Sequence, residues 1–184
     1  MTGAATTLLL IRHGETAWNA EHRIQGRLDV PLSATGVWQS NRLAQRLAGE
    51  TVDAIVSSDL ARAWMTGAPL ADARGLTMAA DHRLRERAFG IFEGKTLDEI
   101  AAEHPHELAA WRARDVDWRI PGGESGREFI DRVLAALGEI VAAHAGATVA
   151  VVTHGGVLDI AYRHARSLAW DAPRDHLMLN ASIN

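Results

Sequence analysis

Residues 8–19 read LLLIRHGETAWN and residues 147–156 read ATVAVVTHGG. Both are apolar runs that drive into a histidine followed by glycine. The first run is apolar from Leu8 to Ile11, and the second is nearly continuous from Val149 to Val152. Runs of this length without polar alternation suit strands buried on both faces, as in a parallel sheet. In an open α/β sheet, ligands sit outside the carboxyl ends of the strands. The two imidazoles, His13 and His154, are therefore placed where a ligand is expected.

Working outward, the chain alternates strands and helices. VDAIVSS, from Val52, reads as a second short buried strand, and LTMAA, from Leu76, as a third. PLSATGVWQSNRLAQRLAG carries Val37, Leu43 and Leu47 at helical spacing, with Ser33 or Thr35 as a cap and Gly49 closing the helix. Asp59 is positioned to cap a helix from Leu60 to about Ala73, which Gly75 ends. Residues 81–95 read as an irregular loop. Thr96–Ala113 reads as helical with a break at Pro105, and VDWRIPGGESG as a loop. Arg127–His144 forms a long amphipathic helix, and Gly156–Arg166 another. The alternation predicts a three-layer α/β/α sandwich around a mostly parallel central sheet. The expectation is a single domain over residues 1–184 with a helical, lid-like insertion around 95–125. The closing LMLNASIN is mid-pattern for a strand, which fits either an edge strand or a chain cut short.

Composition narrows the function. With 184 residues the chain can bury about 70% of its unfolded surface. A net charge of −4 gives no electrostatic case for nucleic acid or an anionic membrane. The absence of cysteine excludes a disulfide framework and a thiolate metal site. The opening MTGAATT lacks a basic and then apolar leader, and no apolar run reaches the ~20 residues of a membrane helix. A cytoplasmic location is the default expectation. Lys95 is the sole lysine, so arginine supplies the other basic residues. One arginine near a motif means little in such a chain, and convergence has to carry the reading.

Convergence is what the strand ends offer. Arg12-His13-Gly14, Thr153-His154-Gly155 and Ser57-Ser58 would share one sheet edge, with Arg62 one helical turn beyond the last. Two guanidiniums are always-charged forks that match phosphate oxygens. Glycine after each histidine lets backbone N–H groups approach an anion. Helix N-termini near Ser58 and Gly155 add partial positive charge. A neutral imidazole in such a pocket can attack phosphorus, and the leaving alkoxide then needs a nearby carboxylic acid.

In order and spacing, RHGETAWN, SSDLARA, LRERAFGIFEG and VVTHGG resemble the motifs of the histidine phosphatase superfamily, the phosphoglycerate mutase-like family. The resemblance runs from Leu8 to about Asn180. It implies that His13 is the phosphorylated nucleophile and that Arg12 and Arg62 bind the phosphoryl oxygens. His154 would complete the pocket and Glu86 would serve as general acid and base. Asn19 would add a phosphate contact, and Gln25-Gly26 would border the substrate. No metal or organic cofactor is implied, and the expected partner is a small phosphorylated metabolite.

Local alternatives stand beside these roles. Glu93 is a second candidate acid, and Glu86 could pair with Arg83 or Arg87. Trp18 and Trp38 fit either the pocket or the core. His104 and His106 resemble a metal pair without a third ligand. The remaining histidines, His22, His82, His144, His164 and His176, suit the surface. RIQGRLDVPLS differs from the mutases' FTGWxD and is similar to the broad-specificity and α-ribazole phosphatase branch. The segment from Gly94 to Gly126 is also short for a mutase. A phosphomonoesterase with a mildly acidic optimum is therefore expected, with a phosphoglycerate mutase as the alternative and a non-catalytic phosphate-binding module as a remote one. The sequence leaves substrate and oligomeric state open, a homodimer included.

Overall fold

The structure is a computed structural model that describes residues 5–173 and 178–184. His176 lies outside the described residues. The predicted strands all form: β1 (Thr7–Arg12), β2 (Ala54–Ser57), β3 (Met78–Ala80) and β4 (Thr148–Thr153). They pair in the order β1-β4-β2-β3, each pair parallel. Residues 181–184 add an antiparallel contact on the free edge of β1. There Leu10 N–H donates to Asn184 O at 2.8 Å and Asn184 N–H to Leu10 O at 2.9 Å. The closing segment therefore behaves as an edge strand.

Seven α-helices occur among the described residues: α1 (Ala17–Ala20), α2 (Ala34–Arg46), α3 (Ala61–Arg74), α4 (Leu97–Glu103), α5 (Pro105–Arg112), α6 (Gly126–Ala143) and α7 (Gly155–Ala165). The alternation of side chains along buried strands sorts them into layers. Leu9, Ile11, Ala150 and Val152 face α2 and α3. Leu8, Leu10, Val149 and Val151 face α6 and α7. The fold is thus the three-layer sandwich expected. Val149 through Val152 are completely buried, and each such valine contributes roughly 1.5–3 kcal/mol. A smaller core of Phe92, Ile100, Leu108 and Ile120 holds together the segment from the 3-10 turn Gly90–Phe92 past α5 to residue 120. None of the helices of the described residues is long and apolar enough to cross a membrane.

Several boundaries differ from the sequence reading. Asp59 does not cap α3. Leu60 occupies that position without a side-chain bond, because the Asp59 carboxylate is drawn into a fork with Arg85 at 2.7 and 2.5 Å. Gly49 does not close α2, which ends at Arg46. The Arg74 guanidinium instead takes up the carbonyls of Leu47, Ala48 and Glu50. The long helix α6 begins one residue early, where Ser125 and Glu128 form a capping box. α3 starts at Ala61, so its N-terminus lies beyond Ser58. Trp38 is 62% exposed and belongs to neither core nor pocket.

Candidate active site

The register levels the strand ends. Arg12 sits opposite Thr153, and Ser57 opposite Val152. The ladders run one residue further, since His13 N–H reaches Thr153 O and Ser58 N–H reaches Val152 O, both at 2.9 Å. His13, Ser58 and His154 therefore emerge together at the carboxyl edge, and the two imidazole centroids are 5.2 Å apart.

His13 is buried, and its Nδ1 lies 2.7 Å from Gly14 O. A carbonyl can only accept, so Nδ1 carries the hydrogen and Nε2 keeps its lone pair. Burial and the Arg62 guanidinium push the His13 pKa well below the usual range. The Gly14 carbonyl opposes this, and Arg12 adds to the lowering. The imidazole is therefore neutral at physiological pH. The turn that carries it is fixed by close backbone packing. A Cβ on Gly14 would lie 2.8 Å from Gly36 O, and Gly14 N–H donates to Thr66 Oγ1 at 2.9 Å.

Arg62 is completely buried rather than solvated. Its Nη1 and Nη2 donate to Leu28 O and Gly26 O at 2.8 and 2.7 Å, which leaves the buried Nε without a protein acceptor. Burial lowers its pKa, with Glu86, Asp29 and Glu93 opposing; an arginine remains charged nonetheless. Arg12 donates to Met178 O. Its guanidinium lies against the start of α7, at ordinary contact distance from where a Cβ on Gly155 would stand. His154 is also fully buried. Its Nε2 is 2.8 Å from Ser58 Oγ, while Nδ1 has no partner. Burial, Arg62 and His13 hold its pKa well below normal.

The structure separates the two candidate acids. Glu86 accepts from Gly156 N–H at 3.0 Å and from Arg87 N–H at 2.9 Å, so it is seated on the first turn of α7. Glu93 bridges two loops, accepting from Phe89 N–H and Arg27 N–H. The suggested pairing of Glu86 with Arg83 or Arg87 does not form. Arg83 binds Asp81 and Glu139, and Arg87 donates to Glu124 O. Asn19 Oδ1 is engaged in capping α1 with Thr16, and Asn180 Nδ2 approaches it at 3.3 Å. Gln25 is buried with its Oε1 unpartnered. Gly26 adopts φ +52°, and its carbonyl anchors Arg62.

Two features were missed from the sequence. Glu124 and Arg132 form a bidentate pair at 2.8 and 2.9 Å. Arg132 Nη1 also holds the carbonyls of Arg83 and Arg85, and Glu124 Oε2 accepts from Ala88 N–H. The pair thus clamps the chain on both sides of Glu86. Burial pushes the Glu124 pKa up, but Arg132, Ala88 N–H and Arg27 bring it below normal. The second feature is a cleft of about 520 Å³ that opens beside Arg12, Glu86 and Gly155. Residues of the 95–125 segment, Trp111 and Trp118 among them, form part of its wall. Among the described residues no three His, Asp or Glu side chains cluster as metal ligands, and His104 and His106 gain no third partner.

Comparison with known proteins sets this arrangement in context. A family model for the histidine phosphatase superfamily (branch 1) matches residues 8–184. Phosphoglycerate mutase-like protein 4 of Arabidopsis thaliana is 40% identical over 180 residues, covering 96% of this chain and 77% of the relative. A mycobacterial glucosyl-3-phosphoglycerate phosphatase, solved with VO3, superposes with a TM-score of 0.84 at 36% identity, covering 96% of this chain and 88% of that one. Bacillus stearothermophilus YhfR gives a TM-score of 0.86 at 36% identity, over 97% and 89%.

Proposed function

The chain belongs to the histidine phosphatase superfamily, and on that premise we propose that it is a phosphomonoesterase acting through a phosphohistidine on His13. The observation that carries this reading is the neutral imidazole with its Nδ1 locked on Gly14 O. It lies at a sheet edge where Arg62 Nε and His154 Nδ1 are buried without partners. Buried polar atoms without partners call for an explanation, and phosphoryl oxygens supply one.

In the first step His13 Nε2 attacks phosphorus in line. The bond to the ester oxygen breaks, its electron pair stays on that oxygen, and protonated Glu86 delivers the proton. Arg12, Arg62 and His154 stabilise the charge on the transferring oxygens. Asn19 and the N–H groups around Gly155 extend the cradle, and Gln25-Gly26 borders it. In the second step the Glu86 carboxylate takes a proton from water. The resulting oxygen attacks phosphorus, the P–N bond breaks, and His13 and inorganic phosphate are released.

The mutase alternative uses the same phosphohistidine but returns the phosphoryl group to a second hydroxyl. The loop RIQGRLDVPLS and the short 94–126 segment favour water as acceptor. The test is hydrolysis of p-nitrophenyl phosphate with EDTA present, from about pH 5 to 8, for the wild type and His13→Ala. 3-Phosphoglycerate is run in parallel, with and without 2,3-bisphosphoglycerate. Hydrolysis that the substitution abolishes is the expected result. Efficient isomerisation without hydrolysis would make the enzyme a mutase, and neither activity would leave phosphate recognition alone.

A further inference from the structure

We propose that Asn180 is a positioning residue of the phosphoryl cradle: its side-chain NH2 group turns the Asn19 carboxamide so that the Asn19 NH2 group faces the phosphoryl oxygens. This inference rests on the phosphomonoesterase reading and deepens it.

Residues 178–184 lie along the free edge of β1, where that strand delivers the site. They meet Arg12 twice. The guanidinium donates to Met178 O, and the Arg12 backbone N–H donates to Ser182 O at 3.1 Å. His13 O accepts from Ala181 N–H at 3.2 Å and from Asn180 Nδ2 at 3.1 Å. The chain turns sharply between these contacts. Ser182 N–H donates to Leu179 O at 3.2 Å, and Ala181 adopts φ +53°. Left-handed backbone is costly for alanine, and such strain persists where surrounding contacts over-determine it. Here the turn aims the Ala181 N–H and the Asn180 side chain at one carbonyl, that of His13.

The second contact of the same NH2 group reaches Asn19. A carboxamide has one acceptor oxygen and two donor hydrogens on nitrogen. Asn19 Oδ1 accepts from Thr16 N–H at 3.0 Å, from Thr16 Oγ1 at 3.2 Å and from Asn180 Nδ2 at 3.3 Å. Reversed, the carboxamide would set its NH2 group against the Thr16 N–H and the Asn180 NH2, donor against donor. Oδ1 is thereby held toward the protein, and Nδ2 is the end presented to an anion. The orientation of Asn180 is fixed too, since both its contacts are carbonyl oxygens that only a nitrogen can serve. Thr16 and Asn19 already complete a capping box on their own. A further donor brought from 161 residues away adds nothing that the helix end requires. What it adds is a link from the carbonyl of the attacking residue to a phosphate donor.

The test is a double-mutant cycle on kcat/KM for p-nitrophenyl phosphate. Asn19→Ala removes one hydrogen bond to a charged group and should cost about ten- to a hundredfold. Asn180→Ala removes the neutral bond that orients it and should cost about two- to tenfold. The double variant should match Asn19→Ala within about twofold, because Asn180 acts through Asn19. Asn180→Leu keeps the volume without the donor and should fall as far as Asn180→Ala. Calorimetry with orthovanadate, a mimic of the transferring group, should show the same losses and the same non-additivity without turnover. If the two effects multiply in the cycle, or Asn180→Leu retains wild-type kcat/KM, Asn180 serves packing alone; the inference then fails while the phosphatase reading stands. If the orthovanadate losses appear as expected but no ester is hydrolysed, the positioning role stands and the phosphatase reading fails. A wild type that binds no orthovanadate overturns both.

Discussion

Glu124→Gln should loosen the loop that presents Glu86. The Glu124 carboxylate accepts from Arg132 twice, from Arg27 and from Ala88 N–H. Glutamine keeps one acceptor oxygen and turns an NH2 group toward donors. At least one charge-assisted bond is lost and another donor is left facing a donor. Hydrogen bonds to charged groups contribute about 1.5–3 kcal/mol each, and breaking a largely buried pair costs about 3–5 kcal/mol. The side chains of Arg132 and Glu124 are 15% and 12% exposed, so the lower end, about 3 kcal/mol, applies. For a chain of this length that lowers Tm by about 6–12 °C. Arg132, no longer held, would release the carbonyls of Arg83 and Arg85, and kcat should fall about ten- to a hundredfold as Glu86 drifts. KM should change less, since the phosphoryl cradle is built from other elements. Scanning calorimetry and steady-state kinetics on p-nitrophenyl phosphate read both effects. A Tm within 2 °C of wild type together with kcat within twofold would refute the clamp.

Gly156→Ala puts a Cβ against the Glu86 carboxylate and the Phe129 ring; kcat should drop by at least about tenfold, as measured by the same assay. Stability should also depend on pH through His13 and His154. Both have folded pKa values well below the 6.5 of the unfolded chain, so the unfolded state binds more protons as pH falls below 6.5. Their contribution is complete above about pH 6.5 and is lost on acidification, at up to about 1.4 kcal/mol per pH unit for each imidazole. Tm should therefore decline between about pH 6.5 and 5, and more shallowly in His13→Ala; a flat profile for the wild type would contradict the neutral buried imidazoles.

The parts of the site written at strand ends were legible, because burial on both faces leaves a run that period and composition reveal. Arg12, His13 and His154 follow such runs directly, and Arg62 follows one by a single helical turn. Glu86 was singled out only through the resemblance of LRERAFG to a family motif, with Glu93 beside it in an irregular loop. What separates it from Glu93 is a hydrogen bond from Gly156, 70 residues away, and no local pattern encodes such a contact. The same holds for Glu124 and Arg132 and for the cleft. Trp111 and Trp118 lie in the segment expected to form a lid, but only α5 and the chain after α7 bring them to one wall with Trp170. Asp59 shows the converse: a good capping residue by type, it was diverted by the guanidinium of Arg85. The helix caps at Thr16–Asn19, Thr96–Glu99 and Ser125–Glu128 were present as three-residue spacings and needed only to be read as such.

The most direct test of the account is a rapid-quench experiment with a phosphomonoester labelled at phosphorus, followed by mapping of the labelled residue. The account predicts an acid-labile, alkali-stable phosphoryl group on His13 that forms before product phosphate and is absent from His13→Ala. Turnover in the wild type with no trapped phosphoenzyme, or label on any other side chain, would contradict it.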